Sequence, residues 1–341
     1  MARLARRNHK RYNEVMDPQD VKILAFGAAT QDVLLRGAAL HARRDVRLHD
    51  YVEEFRLGAK FELDSVFFDV GGGASNAAVT FARQGMRSGF AGKVGRDPAG
   101  AEVLRVLKRE GIDTTHVRVD PHWGTGYSTI LMADNGERTV LVYRGASHHL
   151  RAEDFYTNRP LDAQWFYISS LAGNLDLLKK LLQHAQQHHI KVALNPGSGE
   201  LAQAKKLRGY LKAVEVFIAN RQEMALLFGG EKPVQTMLAA MPYCPYVALT
   251  DGPNGSYASD GQTIYFAGQY KKVKVVDRLG AGDAFCSGFT TAIACGWGVP
   301  AALTLGSANS TSVVGHVGAK TGILRGRRGV KKMKVKRVGI T

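Results

Sequence analysis

DRLGAGDAF, residues 277–285, decides the fold. Its glycines stand directly before GDAFCSGFTTAIACG (282–296), a run of small and apolar residues at helical spacing. A glycine-rich turn at a helix start exposes backbone N–H groups, and the helix dipole adds positive potential there. That combination is an anion hole. Asp283, in the first turn, sets a carboxylate beside it. A carboxylate next to a phosphate cradle suits phosphoryl transfer: it takes the proton of an attacking hydroxyl while the amides stabilise charge. The same residues also fit a plain tight turn at Gly280 and Gly282 with Asp283 as an ordinary helix-start acid.

Two further stretches carry polar residues in telling places. In DVGGGASNAA (69–78), Gly71 and Gly72 permit a ligand to approach the backbone, and Asn76 can donate to and accept from a hydroxyl. It is not a dinucleotide fingerprint, because Asn76 falls where the last glycine belongs, which argues against a Rossmann oxidoreductase. In IANRQEMALLFG (218–229), Asn220 ends a strand and Glu223 follows in the first helical turn. Glu223 suits water-mediated Mg²⁺ binding, and equally a capping acid. GAKTG (318–322) is no P-loop, since Ala319 separates glycine from Lys320 and no strand precedes it. The neighbouring pairs His148–His149 and His188–His189 read as surface or lid residues rather than metal ligands.

Outward from these motifs, strands and helices alternate. VKILAFG (21–27), SGFAGKVG (88–95), WFYISSL (165–171), KVALNP (191–196), VEVFIAN (214–220) and YVALTDG (246–252) read as buried strands. Helical patterns cover 75–85, 101–111, 176–189, 221–229 and 282–296. This rhythm predicts a mostly parallel sheet with helices on both faces. Residues 33–70 and the hairpin-like YSTILMADNGERTVLVYR (127–144), with Asn135–Gly136 at its turn, interrupt it and predict a small β-rich lid.

The chain has 341 residues and a net charge of +16, of which 14 charges sit in residues 1–12 and 320–341. The body between is nearly neutral. Basic ends of this kind suit nonspecific binding to nucleic-acid backbones, or simple solvation; KVKRV (334–338) alternates and also fits a basic edge strand. Three cysteines without a C-x-x-C pair fit a reducing, cytoplasmic compartment, and no apolar leader follows the basic N-terminus. Residues 284–319 carry no Asp, Glu, Lys or Arg, but Gly, Ser, Thr and Pro300 make them two buried helices broken at Gly296–Pro300 rather than a membrane span.

Taken in order, the motifs resemble the ribokinase-like, or PfkB, family of carbohydrate kinases over residues 21–325. GGGASNAA is similar to its early Gly-Gly-x-x-x-Asn box, DRLGAGDAF to its late box, Asn220 and Glu223 to its Asn-x-x-Glu motif, and ALTDGPNGSY (248–257) to its nucleotide-loop strand. The resemblance implies a three-layer α/β/α fold with a lid from about 33–70 and 125–146, flanked by a basic arm (1–20) and a basic tail (326–341). It implies ATP-dependent phosphorylation of a hydroxyl on a sugar or related molecule, with a nucleoside as the alternative acceptor, and dimerisation through the lid. Asp283 would be the base, with Gly280, Ala281 and Gly282 as anion hole. Asp32, Gly71, Gly72 and Asn76 would hold the acceptor. Asn220 and Glu223 would organise phosphates and Mg²⁺, Thr250, Gly252 and Gly255 the nucleotide loop, Asn309 the adenine pocket, and Asp277 a K⁺ ion. Arg278 stands where many members have Thr, and Gly73 where ribokinases proper have Lys, which leaves the acceptor open. Arg144, in YRGAS (143–147), could meet an acidic substrate group; the solvated reading is favoured.

Overall fold

Strand β1 (Lys22–Phe26) shows how the layers arise. Its period of two sends Ile23 and Ala25 into one core and Leu24 and Phe26 into another. A strand buried on both faces must lie inside a sheet covered twice. The computed structural model, which describes residues 15–134, 137–155, 161–271, 273–327 and 330–339, has that architecture.

The strands after β1 are β2 (Thr30–Arg36), β3 (Arg43–Asp45), β4 (Asp50–Val52), β5 (Ser65–Gly71), β6 (Arg87–Gly95), β7 (Asp113–Asp120), β8 (Gly126–Met132) and β9 (Arg138–Tyr143). Then come β10 (Trp165–Ile168), β11 (Lys191–Leu194), β12 (Val216–Asn220), β13 (Tyr246–Thr250), β14 (Ser256–Ser259), β15 (Ile264–Ala267) and β16 (Val335–Val338). Ten form the main sheet, in the order β16-β15-β14-β13-β12-β11-β10-β1-β6-β7. From β13 to β7 every pairing is parallel; β14, β15 and β16 extend the sheet antiparallel.

The helices are α1 (Gly73–Arg83), α2 (Pro98–Arg109), α3 (Leu175–Gln187), α4 (Ser198–Leu201), α5 (Ala204–Tyr210), α6 (Arg221–Phe228), α7 (Pro233–Ala240), α8 (Ala281–Ala294) and α9 (Gly298–Val314). α1, α2, α8 and α9 pack on one face of the sheet and α3 to α7 on the other. The uncharged stretch 284–319 is the buried α8–α9 pair, broken at Cys295–Trp297. Among the described residues no helix is long and apolar enough to cross a membrane.

The lid is a separate four-stranded sheet, β5-β2-β8-β9, with the two-stranded β3–β4 hairpin beyond it. β8 and β9 pair antiparallel as the hairpin reading requires, though Asn135 and Gly136 lie outside the described residues. The lid stands off the body: Val66, Phe67, Phe68, Leu141 and Val142 are all exposed.

The basic C-terminal segment differs from a free tail. β16 pairs with β15, Val330, Met333 and Val335 pack on the core, and Arg327 stacks over Trp297 at 4.7 Å. The two valines anchor the strand on opposite faces of the sheet, Val335 against one core and Val338 against the other, while Lys336 and Arg337 between them stay exposed. Lysine and arginine on an edge strand blunt its tendency to pair with another chain. The basic residues of the N-terminal arm lie within 1–14, outside the described residues. From there Met16 donates its N–H to Cys295 O at 3.1 Å.

Candidate active site

In the sheet, β1 leads to β6 on one side and β10 on the other, so the connections diverge at its carboxyl end. Open α/β sheets place ligand sites at such a switch point. Here the loop after β1 enters β2, which carries Asp32. Asp32 is buried, and burial pushes its carboxyl up, opposed by hydrogen bonds from Thr30 and Ser128 and by the charge of Lys320. Gly71 faces it directly, and a Cβ there would overlap the Asp32 carboxylate.

The late motif forms the opposite wall. Gly280 has φ of 72°, and a Cβ on it would come 2.5 Å from that of Ala319, so both conformation and space require glycine. No side chain caps α8. Ala281 N–H bonds to Arg278 O and Ala284 N–H to Gly280 O, while the amides of Gly282 and Asp283 have no partner among the described residues. Two unpaired amides at a helix N-terminus are a ready site for an anion.

Asp283 is half-buried at this point. Burial raises its carboxyl above the usual range, against the pull of Asn76 and Lys320. Asn76 Nδ2 donates to Asp283 Oδ2 at 2.7 Å. The other oxygen, Oδ1, lies 3.1 Å from where a Cβ of Gly73 would stand. Ser169 Oγ lies closer still to that position, so glycine at 73 leaves room for the serine hydroxyl and the Asp283 carboxylate together.

The sequence reading missed Lys320. The P-loop test set GAKTG aside, yet Lys320 is 4 % exposed and sits between the early and late motifs. Its ammonium donates to Val70 O, to Ser75 Oγ at 2.9 Å and to Asn76 Oδ1 at 2.5 Å. The available signal was its position, as the charge that ends a 36-residue stretch (284–319) without Asp, Glu, Lys or Arg.

Beyond the anion site, a cavity of about 160 Å³ is bounded by Thr250, Gly252, Gly255, Gln269 and Ala281–Gly282. A wider groove of about 500 Å³ continues from Thr250 and Gly252 to Asn220 and Arg221. Asn220 and Glu223 form a reciprocal cap on α6, with Glu223 N–H donating to Asn220 Oδ1 (3.0 Å) and Asn220 N–H to Glu223 Oε2 (2.9 Å). The capping reading is thus realised, and burial raises the Glu223 carboxyl.

One assignment changes. Asn309 does not line the cavity: it is fully buried, donating to Ala284 O (2.9 Å) and Thr80 Oγ1 (3.3 Å) and accepting from Leu324 N–H (2.9 Å). Helical rotation puts Ser307, Ser310 and Thr311 on the cavity face instead. Asp277 is buried and latches two loops, accepting from Leu279 N–H (2.9 Å) and Gly318 N–H (3.0 Å). Arg144 is exposed. His149 stacks on Trp123 at 4.1 Å, and His188 lies 4.3 Å from His184. Among the described residues no group of three or more His, Cys, Asp or Glu side chains could hold a metal.

The profile of the pfkB family carbohydrate kinases matches residues 44–325. The chain belongs to this family of kinases. This kinase is 27% identical over 267 residues to a 5-dehydro-2-deoxygluconokinase of Geobacillus thermodenitrificans, covering 72% of this chain and 78% of that protein. It is also 27% identical over 261 residues to a ribokinase of Haemophilus influenzae, covering 74% and 83%. Among solved structures, a ribokinase of Cryptococcus neoformans in complex with ADP superposes with a TM-score of 0.71 at 20% identity, covering 89% of this chain and 97% of that one. That likeness shows the ribokinase fold: three layers, with the small antiparallel-edged sheet as its lid.

Proposed function

We propose that this carbohydrate kinase moves the γ-phosphoryl group of ATP to a hydroxyl of a sugar or sugar derivative, with Asp283 as general base. One observation carries the reading: a carboxylate with one oxygen held by Asn76 and the other on the Gly73 side, beside two unpaired amides at the start of α8. The acceptor O–H gives its proton to Asp283 as its oxygen bonds to the γ-phosphorus. The bond from that phosphorus to the bridging oxygen breaks, and ADP leaves with the electron pair. The amides of Gly282 and Asp283 face the charge on the transferring group.

The cavity along Thr250–Gly255 opens on this anion site, which fits a nucleotide whose phosphates end there. Magnesium, when bound, neutralises phosphate charge; Glu223 offers one water-mediated carboxylate, and the remaining ligands would come from the phosphates. Asp32 accepts from acceptor hydroxyls under the lid, which excludes water.

A coupled ADP-release assay tests the reading, run over ribose, fructose, 5-dehydro-2-deoxygluconate and a set of nucleosides. Turnover with a sugar supports it. Turnover with nucleosides alone moves the acceptor class, and none above the background ATPase rate sinks it. Asp32→Ala is expected to raise the KM of the acceptor by about tenfold or more, with the KM of ATP little changed, because one charged hydrogen bond is worth roughly 1.5–3 kcal/mol. Equal effects on both KM values would remove Asp32 from the acceptor site.

The lid's exposed apolar strands also support pairing with the lid of a second copy. Sedimentation should then read twice the monomer mass, and Phe68→Glu should return the monomer.

A further inference from the structure

The geometry points to Lys320 as a positioning residue: its buried ammonium fixes the Asn76 amide, and through it the base. This rests on the phosphoryl-transfer reading of Asp283.

An ammonium has three N–H donors and no acceptor. All three of Lys320 are used inside the protein, so none remains for a ligand. The amide of Asn76, itself buried, must therefore present its oxygen to Lys320, since a flipped amide would set NH₂ against NH₃⁺. Once Oδ1 is placed, Nδ2 can only face Asp283. That leaves Asp283 Oδ1 as the oxygen on the Gly73 side. One side chain thus selects which carboxylate oxygen receives the proton.

The segment carrying Lys320 is held well enough to do this. Arg83 donates to Lys320 O (2.6 Å) and Ile323 O (3.1 Å), and Gln84 donates to Leu324 O (3.0 Å). Ala319 abuts Gly280 at the start of α8. The lysine, the asparagine and the aspartate are therefore tied into one hydrogen-bonded unit.

The charges around Lys320 are Asp32 on β2, Asp69 on β5, Asp283 on α8 and Arg83 on α1. Burial pulls Lys320 down to about 8, so it is charged at neutral pH. Its charge favours the ionised form of Asp283 against burial. A purely structural role also exists, because Asp69 Oδ2 is buried without a hydrogen bond and needs a nearby positive charge. The pH dependence separates the two.

The experiment records kcat and kcat/KM against pH for the wild type and for Lys320→Met, Lys320→Gln and Lys320→Arg. The base works ionised, so removing the cation should move the acid limb up by about one pH unit or more. Lys320→Met should also lose kcat by about tenfold or more, with the KM of ATP within about twofold. Lys320→Gln keeps a donor for Asn76, so it should recover part of kcat while keeping the displaced limb. Lys320→Arg should hold the wild-type limb. An unmoved acid limb in the Met or Gln variant overturns the inference; if Met does not fold, Gln decides alone. A second readout needs no turnover: ¹³C NMR titration of the Asp283 carboxyl in the full chain, assigned against Asp283→Asn. An Asp283 titration unchanged by Lys320→Gln overturns the Lys320 role whatever the activity. A wild type inactive on every acceptor sinks the kinase reading, while a displaced NMR titration would still leave the coupling standing.

Discussion

Asp283→Asn should lower kcat by about 10²–10⁴-fold and leave ATP affinity within about threefold, as loss of the proposed general base would. The substitution is nearly isosteric. The asparagine oxygen can still accept from Asn76 Nδ2, so the helix start and its two unpaired amides should persist. What disappears is the proton acceptor beside Gly73. Under a closed lid no bulk water replaces it, so the acceptor hydroxyl would attack still protonated. Steady-state kcat and calorimetric ATP binding on the same preparation make the comparison. Near wild-type turnover would return Asp283 to the plain helix-start acid that its motif alone also allowed. The pH profile of the wild type adds a sign. Burial raises the Asp283 carboxyl, so the rate should fall as pH drops through a value above the ordinary 3.8.

The fold was legible where one physical rule dominated. Six buried strands announced themselves because a parallel sheet covered on both faces tolerates only apolar runs, as KILAF and VFIAN show. β14 and β15 were missed because both are only four residues long, SYAS and IYFA, on an antiparallel extension where so short a run shows no distinctive period. In the site, the glycines could be read because their role is local: Gly280 is dictated by a turn. Lys320 could not, because its role depends on residues about 245 positions away in sequence that only folding brings to it. A lysine in water and a lysine bridging two motifs have the same local pattern. Asn309 failed for the opposite reason. Its neighbours Ser307 and Ser310 do line the cavity, but a helical residue between them turns about 100° per position away. Asn220 and Glu223 show that two readings can coexist, since a capping box consumes one lone pair of each side chain and leaves others for phosphate or water.

Glu110→Ala should cost about 3 kcal/mol of stability, although Glu110 is remote from the chemistry. Its carboxylate takes a two-pronged ion pair from Arg83, at 3.0 Å from Nε and 2.7 Å from Nη2, with both side chains about nine-tenths covered. Deleting the acid leaves a buried guanidinium half-paired, which is more damaging than never having built the pair. The figure sits at the lower end of the usual range because Arg83 Nη1 keeps Lys320 O and Ile323 O. Arg325 provides the internal control. It meets the same carboxylate at 3.1 Å but is 70% exposed, so Arg325→Ala should change stability by no more than about 1 kcal/mol. Thermal and urea unfolding of the two variants make the test, and equal losses would refute the buried-pair argument. The acid dependence carries a second check. Arg83's hydrogen bonds hold the Glu110 carboxyl below its ordinary 4.5, so its contribution is complete above that pH and fades as pH falls through the lower folded value. Glu110→Ala should therefore lose stability less steeply than the wild type below about pH 4.5. Because Arg83 also fixes the carbonyl of Lys320, the variant should lower kcat as well, and by more than Arg325→Ala does. A stability loss with unchanged kcat would mean that the segment bearing Lys320 is held by Gln84 and Asn309 without help from the ion pair.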